Sequence, residues 1–380
     1  MKRLLLFLLL FAAVCATLSC GTQSAVRTRP YPPPSGVVID VSFFYNELAP
    51  YGQWFEVEGY GWVWSPYDVP FGWRPYTNGY WVYTDYGWTW VSRWRWGWAP
   101  FHYGRWASHP RHGWIWLPGN VWGPAWVVWR RGPGWIGWAP MPPQGGWRAG
   151  FGFDIVLEAD RLIEPHGYSF VPDRYFAERE LQRRLELSAR NVTLLRETQN
   201  VTNYTMRDSR AINHSFTAEP IEQATRRTVP QHRVIESPAI NQAEQVRGTE
   251  VMVYRPDIRP NPPPNPPRNV EPRTQRPRPS TEIERREADE RRQLEEYQTR
   301  SRQTLERQQQ QEQQRATTTR DEIQRRQEAE RRAQQDQAQR EQQVLRSRQE
   351  TRRQVEAPPT TAPKQPRTER PPRKPGGKPF

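Results

Sequence analysis

The chain has 380 residues, with 55 Lys and Arg against 41 Asp and Glu, and a formal net charge of +14. Its two cysteines, Cys15 and Cys20, both lie near the start, so the remainder offers neither a disulfide nor a cysteine-ligated metal site. The sequence has no phosphate-binding loop, no Gly-x-Ser-x-Gly motif and no metalloprotease helix. We therefore expect no enzyme activity, no catalytic residues, no metal and no cofactor.

The N-terminal segment has the pattern of a secretion signal. A basic start precedes the apolar stretch 4–14, which is too short to span a bilayer as a mature helix. The segment ends in Leu-Ser-Cys-Gly at 18–21, which resembles the lipidation site of bacterial lipoproteins. We expect residues 1–19 to be a lipoprotein signal peptide, Cys20 to carry the lipid, and residues 20–40 to form a tether. An ordinary signal peptide cleaved near Cys20 is the alternative.

The residues after the cysteine indicate a location. The residue after the cysteine is Gly21 and not an acidic residue. This pattern resembles that of lipoproteins sorted to the outer membrane. The tether contains no acidic run of the kind that marks surface export in some groups. We expect an outer-membrane lipoprotein of the cell envelope that faces the periplasm and contacts the membrane through its lipid anchor.

All 19 tryptophans lie between Trp54 and Trp147, and they fall into a repeat. Three elements recur in the same order with a period of about 26 residues, as in repeat architectures. The first element reads GQW at 52, GYW at 79 and GRW at 104. The second reads GWVW at 61, GWTW at 87 and GWIW at 113. The third reads GWRP at 72, GWAP at 97 and, after an insertion, GWAP at 137. This agreement indicates an internal repeat.

The repeat predicts antiparallel β-hairpins. Alternation along a strand places both rings of each Trp-x-Trp motif on one face, and Asn78-Gly79 is a tight-turn dipeptide. Frequent Gly and Pro exclude long helices in this region. We predict a mainly β protein in which residues 41–150 form a Trp-rich antiparallel β-hairpin repeat domain. The candidate rings for a core or a binding surface are Trp62, Trp64, Trp88, Trp90, Trp114 and Trp116.

The next segment, residues 151–250, has short apolar runs that are too few for a separate core. We predict a small docking segment of mixed helix, strand and loop. Within it, an approximate apolar stripe predicts a helix over residues 172–189; its members are Phe176, Leu181, Leu185 and Leu187.

The C-terminal part changes composition twice more. Residues 251–279 are a Pro-rich linker, and residues 280–356 consist mainly of Arg, Glu and Gln without Pro or Gly, which predicts one long helix. Between 282 and 356, 18 arginines face 17 acidic residues, and the apolar residues are too sparse for a strong coiled coil. We therefore expect a single solvated helix, followed by a disordered, Pro-rich basic tail at residues 357–380.

The basic tail suggests a polyanionic partner, because flexible cations find anionic sites independently. In an envelope protein the expected partners are peptidoglycan, lipopolysaccharide or another envelope protein, and not nucleic acid. A solvated tail without a specific partner is the alternative. The predicted contact residues are Lys364, Arg367, Arg370, Arg373, Lys374 and Lys378.

Two further groups of residues could bind a metal or act as an acid/base pair. His109 and His112 have a spacing that a metal pair could use, but few carboxylates accompany them, and His112 occupies the repeat position of Tyr60 and Tyr86. An aromatic structural role explains His112 better. Glu56 and Glu58 share a strand face, yet no further residue supports their use as a catalytic acid/base pair.

The repeat motifs resemble a Trp-rich bacterial domain family of unknown function. The resemblance rests on YGWVW at 60–64, GWRPY at 72–76, GYWVY at 79–83, GWAPMPP at 137–143 and NVTNY at 200–204, and it covers roughly residues 40–240. It implies a secreted or lipid-anchored protein of a Gram-negative bacterium and carries no known catalytic residues.

Two functions follow as hypotheses. The first is a non-enzymatic cell-envelope lipoprotein that acts as a structural or partner-binding platform with a helical spacer tail. The alternative is a module that binds peptidoglycan or another polysaccharide through repeated Trp faces. The platform requires most indoles to be buried in a continuous core, whereas the glycan module requires one exposed ring per repeat in a line.

Overall fold

The fold is known from a computed structural model, which describes residues 42–143, 161–207, 210–256, 280–315 and 319–356. Cys20, the signal and tether, Trp147 and the six predicted polyanion contacts lie outside these residues. Antiparallel sheets dominate the Trp-rich part, a mixed segment follows, and long helices end the described chain. The fold class predicted from the sequence is therefore confirmed.

Four β-hairpins carry 12 of the 18 tryptophans in the described residues. Each hairpin pairs two Trp residues directly across its strands: Trp54 with Trp64, Trp81 with Trp90, Trp106 with Trp116, and Trp129 with Trp138. The strands are β1 (Gly52–Val57), β2 (Gly61–Pro66), β3 (Gly79–Thr84), β4 (Gly87–Ser92), β5 (Arg105–His109), β6 (Gly113–Leu117), β7 (Val127–Gly132) and β8 (Trp135–Pro140).

The fourth hairpin corrects the interpretation of the last repeat motif. GWAP at 137–140 was expected to close the third unit, but it lies in β8 and pairs with β7. Gly137 explains the difference, because a Cβ on it would lie 2.2 Å from the ring of Phe170. The residue therefore lets a neighbouring strand approach closely, a role that a motif comparison does not distinguish from turn formation.

The repeated glycine before each Trp-x-Trp motif has a backbone cause. Gly61, Gly87 and Gly113 begin the second strand of their hairpins with φ values of 71, 81 and 70°. This left-handed region favours glycine, so the same residue recurs where each turn enters its return strand. The preceding position holds Tyr60, Tyr86 or His112, as the repeat alignment indicated.

The hairpins assemble into separate sheets. The first and third share one sheet of order β1-β2-β6-β5, joined where Trp64 pairs with Trp116. The second lies at the end of β14-β15-β13-β3-β4, and the fourth at the centre of β10-β7-β8-β9. Further strands are β9 (Ser169–Pro172), β10 (Gln199–Asn200), β11 (Tyr204–Arg207), β12 (Arg210–Asn213), β13 (Gln231–Glu236), β14 (Gln245–Arg247) and β15 (Glu250–Val253).

The segment after the repeats thus docks by adding strands to the Trp hairpins. β15 extends three residues into the predicted linker because Val251 and Val253 are buried. The helix predicted over residues 172–189 is wrong: the chain forms three separate 3-10 turns there, at Asp173–Tyr175, Leu181–Arg184 and Ser188–Arg190. Leu185 and Leu187 adopt extended backbone between the turns, which lets the segment follow the surface of the core.

The short helices fill edges of the same core. They are α1 (Ser42–Leu48), α2 (Asn191–Glu197) and α3 (Glu219–Thr225). The sequence analysis gave no sign of α1, yet its Phe44, Tyr45 and Leu48 are buried among the indoles. Phe44, for example, meets Trp116 edge to face at 5.2 Å between ring centroids. The core therefore begins before the first repeat.

The helical part contains two helices, not the single helix expected from the sequence. They are α4 (Ser280–Arg315) and α5 (Arg320–Glu356), which run antiparallel, since Arg353 pairs with Glu287 and Gln309 with Gln327. No helix in the described part of the chain has the apolar length needed to cross a bilayer.

The helical hairpin packs against the β domain. The hydroxyl of Thr193 donates to the Glu330 carboxylate at 2.8 Å, and Arg340 lies 3.1 Å from Glu164. Tyr297 lies close to Gly72, where an added Cβ would be 2.0 Å from the phenol oxygen. Because these contacts involve α4 and α5 alike, the pair is a packed layer and not a free solvated spacer.

Candidate binding groove

The candidate rings lie mostly inside the core. Trp64, Trp88, Trp90 and Trp116 are buried, whereas Trp62 and Trp114 are half-buried. Of the 18 tryptophans in the described residues, 14 are buried and none is exposed. The equivalent rings of the three repeats therefore do not form one exposed strip.

A groove of about 840 Å³ lies between the β1–β2 and β5–β6 hairpins and the helical hairpin. The 65–74 loop and His166 complete its β side, and α4 and α5 supply the opposite wall. Its volume falls within the range of about 300–1,000 Å³ that is usual for small-ligand sites. The groove unites parts of the chain that the sequence analysis assigned to three different segments.

Arg74 is the most deeply placed charge of the groove. Its side chain is buried, with the residue 8% exposed, and its Nε donates to the Ser169 hydroxyl at 3.1 Å. Burial lowers the pKa of Arg74, while Tyr297 and Glu341 act in the opposite direction. Among the described residues no carboxylate lies within 4.0 Å of its nitrogens, and its terminal nitrogens donate to no protein group. A buried guanidinium left in this state favours an anion beside it.

The helical wall adds further cations in two states. Arg352 pairs with Glu290 at 2.8 Å, and Arg286 lies 3.5 Å from the same carboxylate, so the two cations share one counter-charge. Arg348 instead donates to the backbone oxygen of His112 at 3.3 Å, and burial lowers its pKa. The groove therefore holds paired guanidiniums at its rim and less compensated ones against the β domain.

A hydroxyl, an imidazole and a carboxylate follow one another along one side of the groove. The oxygen of Ser108 lies 3.3 Å from Nε2 of His166, and Nδ1 of His166 lies 3.1 Å from Glu164. Burial lowers the pKa of His166 below 6.5, an effect that Glu164 opposes and Arg340 adds to, so the imidazole is neutral at pH 7. Nδ1 of His166 is nevertheless without an aligned hydrogen bond, and Arg340 contacts the same Glu164 oxygen.

These three side chains follow the order of a nucleophilic triad, but they lack the surrounding contacts that activate a serine. A serine nucleophile needs a base oriented by its carboxylate, together with donors for the developing oxyanion. Here Glu164 is shared with Arg340, and Ser108 is an exposed residue of the edge strand β5. The side chains can therefore bind polar groups of a ligand, with a hydroxyl and a neutral imidazole facing the groove.

The paired histidines of the third hairpin have local structural partners. His109 Nδ1 accepts from the backbone N–H of Arg111 and of His112, and the His112 ring packs 4.6 Å from Phe55. Burial lowers the pKa of both histidines, to about 4 for His112. No group of three or more His, Cys, Asp or Glu in the described residues is arranged to hold a metal. Glu56 lines the groove at its exposed rim.

Trp114 is the predicted ring that lines the groove. It is half-buried, and no other aromatic ring of the described residues lies against it, unlike Trp62, whose ring is 6.2 Å from that of Tyr45. Trp114 also lies near His166, because a Cβ on Gly167 would be 3.7 Å from its indole. The ring and Arg74 therefore flank the same short segment.

Arg74 was not among the predicted site residues, although the repeats carry a signal for it. In the GWxP element, Arg74 stands where the motif at 97–100 has Ala99, which is fully buried. A charge at an otherwise apolar repeat position marks a local function. Ser108 and His166 had no such signal, because their meeting depends on the docking of a later segment.

The Trp-rich part of the chain is similar to a known protein family. Residues 45–145 are similar to a family of unknown function, DUF6600, which covers the four hairpins. No curated protein and no solved structure matches the chain. The matched region contains the β wall of the groove, including Arg74 and Trp114, but neither His166 nor the helical hairpin.

Proposed function

We propose that the protein is a non-enzymatic lipoprotein of the bacterial cell envelope that serves as a structural or partner-binding platform. The observation that carries this proposal is the groove between the β domain and the helical hairpin. Its walls are held in place by an indole core on one side and by ion pairs such as Arg340–Glu164 on the other. A fixed, mixed polar and aromatic concavity is the usual form of a binding site.

The buried indoles support the platform over glycan binding through repeated Trp faces. That alternative needs one exposed ring per repeat, but Trp88 is fully buried while Trp62 and Trp114 are half-buried. The rings instead meet one another, as Trp81 and Trp90 do edge to face at 4.9 Å. Such packing stabilises the scaffold that presents the groove.

The binding part of the proposal is tested by blocking the groove in the full-length chain. Ser108→Trp places a large side chain in it, and Glu58→Trp places the same side chain in the exposed turn between β1 and β2, outside it. We expect the wild-type chain and Glu58→Trp to sediment with isolated envelope material, and Ser108→Trp to do so several-fold less. Equal sedimentation of all three, at equal melting temperature, contradicts binding through the groove.

The envelope location is tested at the proposed lipidation site. Cys20→Ala should move the protein from the membrane fraction to the soluble envelope fraction, because a covalent lipid anchors by burying its acyl chains. Incorporation of a labelled fatty acid into the wild-type chain gives a second readout. Membrane association that is unchanged in the variant, with no label in the wild type, contradicts this part of the proposal.

The non-enzymatic part is tested with a fluorophosphonate probe, which labels activated serines. Ser108 should remain unlabelled, because its neighbour His166 lacks an aligned carboxylate partner. Labelling that disappears in Ser108→Ala would show an activated nucleophile and refute the proposal.

A further inference from the structure

We infer that the groove binds an acidic saccharide, with a sugar ring against Trp114 and the anionic group of the ligand at Arg74. The inference rests on the proposed partner-binding function and names the chemical class of the ligand. It differs from binding through repeated Trp faces, because it uses a single indole and one buried cation.

The anionic end of the ligand is assigned by Arg74. A planar guanidinium binds a carboxylate or phosphate through two parallel hydrogen bonds, and a buried one gains most from doing so. Nε of Arg74 donates to the Ser169 hydroxyl, Arg74 lines the groove, and its terminal nitrogens donate to no group of the described residues. Glu341 influences Arg74 from beyond 4.0 Å, so it does not take the place of a ligand.

The saccharide end is assigned by Trp114 and the polar groups around it. Trp114 lines the groove and is only partly buried, so the exposed part of its indole can contact an apolar ring surface. Ser108 and His166 supply a hydroxyl and a neutral imidazole beside it, and both groups can donate to or accept from sugar hydroxyls.

Carboxylates on the β side of the groove disfavour a ligand that is anionic along its whole length. Glu56 and Asp68 are exposed carboxylates on the β side, while Gln53 and Gln293 contribute neutral amides. Carboxylates repel a chain of phosphates but accept hydrogen bonds from hydroxyl groups. The lining therefore fits a ligand that is neutral and hydroxylated over most of its length and anionic at one end.

The test uses two disaccharides that differ in one group. The first is N-acetylglucosamine linked β-1,4 to N-acetylmuramic acid, which carries a carboxylate, and the second is N,N′-diacetylchitobiose, which lacks it. Titration calorimetry on the full-length chain should give at least tenfold tighter binding of the acidic disaccharide. Sodium lactate and sodium phosphate at the same concentration serve as competitors.

The variants separate the two halves of the site. Arg74→Met should remove the preference for the acidic disaccharide, and Trp114→Leu should weaken both disaccharides by a similar factor. Arg95→Met is the matched control, because Arg95 is an exposed arginine of the Trp-rich domain that does not line the groove, and it should leave both affinities unchanged. Melting curves check folding, and if Arg74→Met does not fold, the preference of the wild-type chain decides.

Three outcomes overturn the inference. They are equal affinity for the two disaccharides, unchanged binding in Trp114→Leu, and complete competition by lactate or phosphate, which would mean an anion site only. If neither disaccharide binds while Ser108→Trp still abolishes sedimentation with envelope material, the ligand class is wrong and the platform stands. If Ser108→Trp also leaves sedimentation unchanged, the ligand class and binding through the groove are both wrong.

Discussion

Glu244 lies 3.0 Å from Nε2 of His102, although 142 residues separate them in the sequence. The opposite ring nitrogen, Nδ1, lies 2.8 Å from the backbone oxygen of Gly123. A neutral imidazole has one N–H, whereas a carbonyl and a carboxylate are both acceptors, so the geometry favours the protonated ring. The second carboxylate oxygen of Glu244 accepts from the backbone N–H of Ser92. The pair thus ties the docked segment to the Trp domain.

The first prediction is a pH-dependent contribution of this pair to stability. Burial alone lowers the pKa of His102, but Glu244 and the Gly123 carbonyl outweigh burial and raise the pKa above its usual 6.5. A raised pKa in the folded state means that the stabilisation is complete below pH 6.5 and is lost as the pH rises through the folded-state value. Glu244→Gln should therefore cost about 1–3 kcal/mol at acidic pH and progressively less at alkaline pH.

Thermal melts of both chains across a pH series measure this difference. Glu250→Gln, which neutralises an exposed carboxylate on β15, is the control and should follow the wild type at every pH. A constant gap between Glu244→Gln and the wild type over the whole series would show that His102 does not titrate in the folded protein as described.

The second prediction concerns the cross-strand indoles. Trp64, Trp90 and Trp116 are at most 1% exposed and occupy the same repeat position. Replacing each with Ala should lower the free energy of unfolding by about 3–5 kcal/mol, because a buried ring leaves a cavity. Tyr67→Ala, at a residue that is 43% exposed, should change it by no more than about 0.5 kcal/mol. Denaturant titrations that show equal stability for all four variants would contradict the core assignment.

The sequence predicted the β part well because its signals are local. Alternating Trp residues and a glycine at each turn determine strands and hairpins without knowledge of the rest of the chain. The sheet partners were not predictable, since β13 joins β3 through residues 231 and 83, far apart in sequence. The groove was not predictable for the same reason, because Arg74 and His166 come together only when the later segment docks on the Trp domain.

The pairing of the two helices had a signal that a heptad search does not detect. Ile283, Leu294 and Leu305 are buried and recur every eleven residues. The buried Glu287 and Gln309 are 22 residues apart, which is twice that interval. An eleven-residue period gives 3.67 residues per turn, which keeps the stripe almost parallel to the helix axis. The sparse apolar residues therefore mark one contact face, completed by glutamine and ion pairs.

The third prediction tests that hairpin in solution. Gln334 donates to the Ser301 hydroxyl at 2.9 Å, whereas a continuous helix would hold these residues about 50 Å apart. In a chain in which Cys15 and Cys20 are replaced by Ala, cysteines at 301 and 334 should be joined efficiently by a short bismaleimide. Cysteines at 301 and 350 are the control, because these positions lie about 24 Å apart along the hairpin. Equal cross-linking of the two pairs would refute the antiparallel arrangement.

The last prediction concerns the basic tail, whose residues lie outside the described structure. Lys364, Arg367 and Lys374 are among six cations that crowd the end of the chain, and their attraction to a polyanion should be screened over about 8–10 Å at physiological ionic strength. A chain that ends at Glu356 should keep its melting temperature and helicity but lose the salt-sensitive part of its retention on peptidoglycan or lipopolysaccharide. The groove is present in both chains, so any retention that remains at high salt should be equal and should fall in Ser108→Trp. Identical salt curves for the full and shortened chains would leave the tail without a polyanionic contact and assign envelope binding to the groove alone.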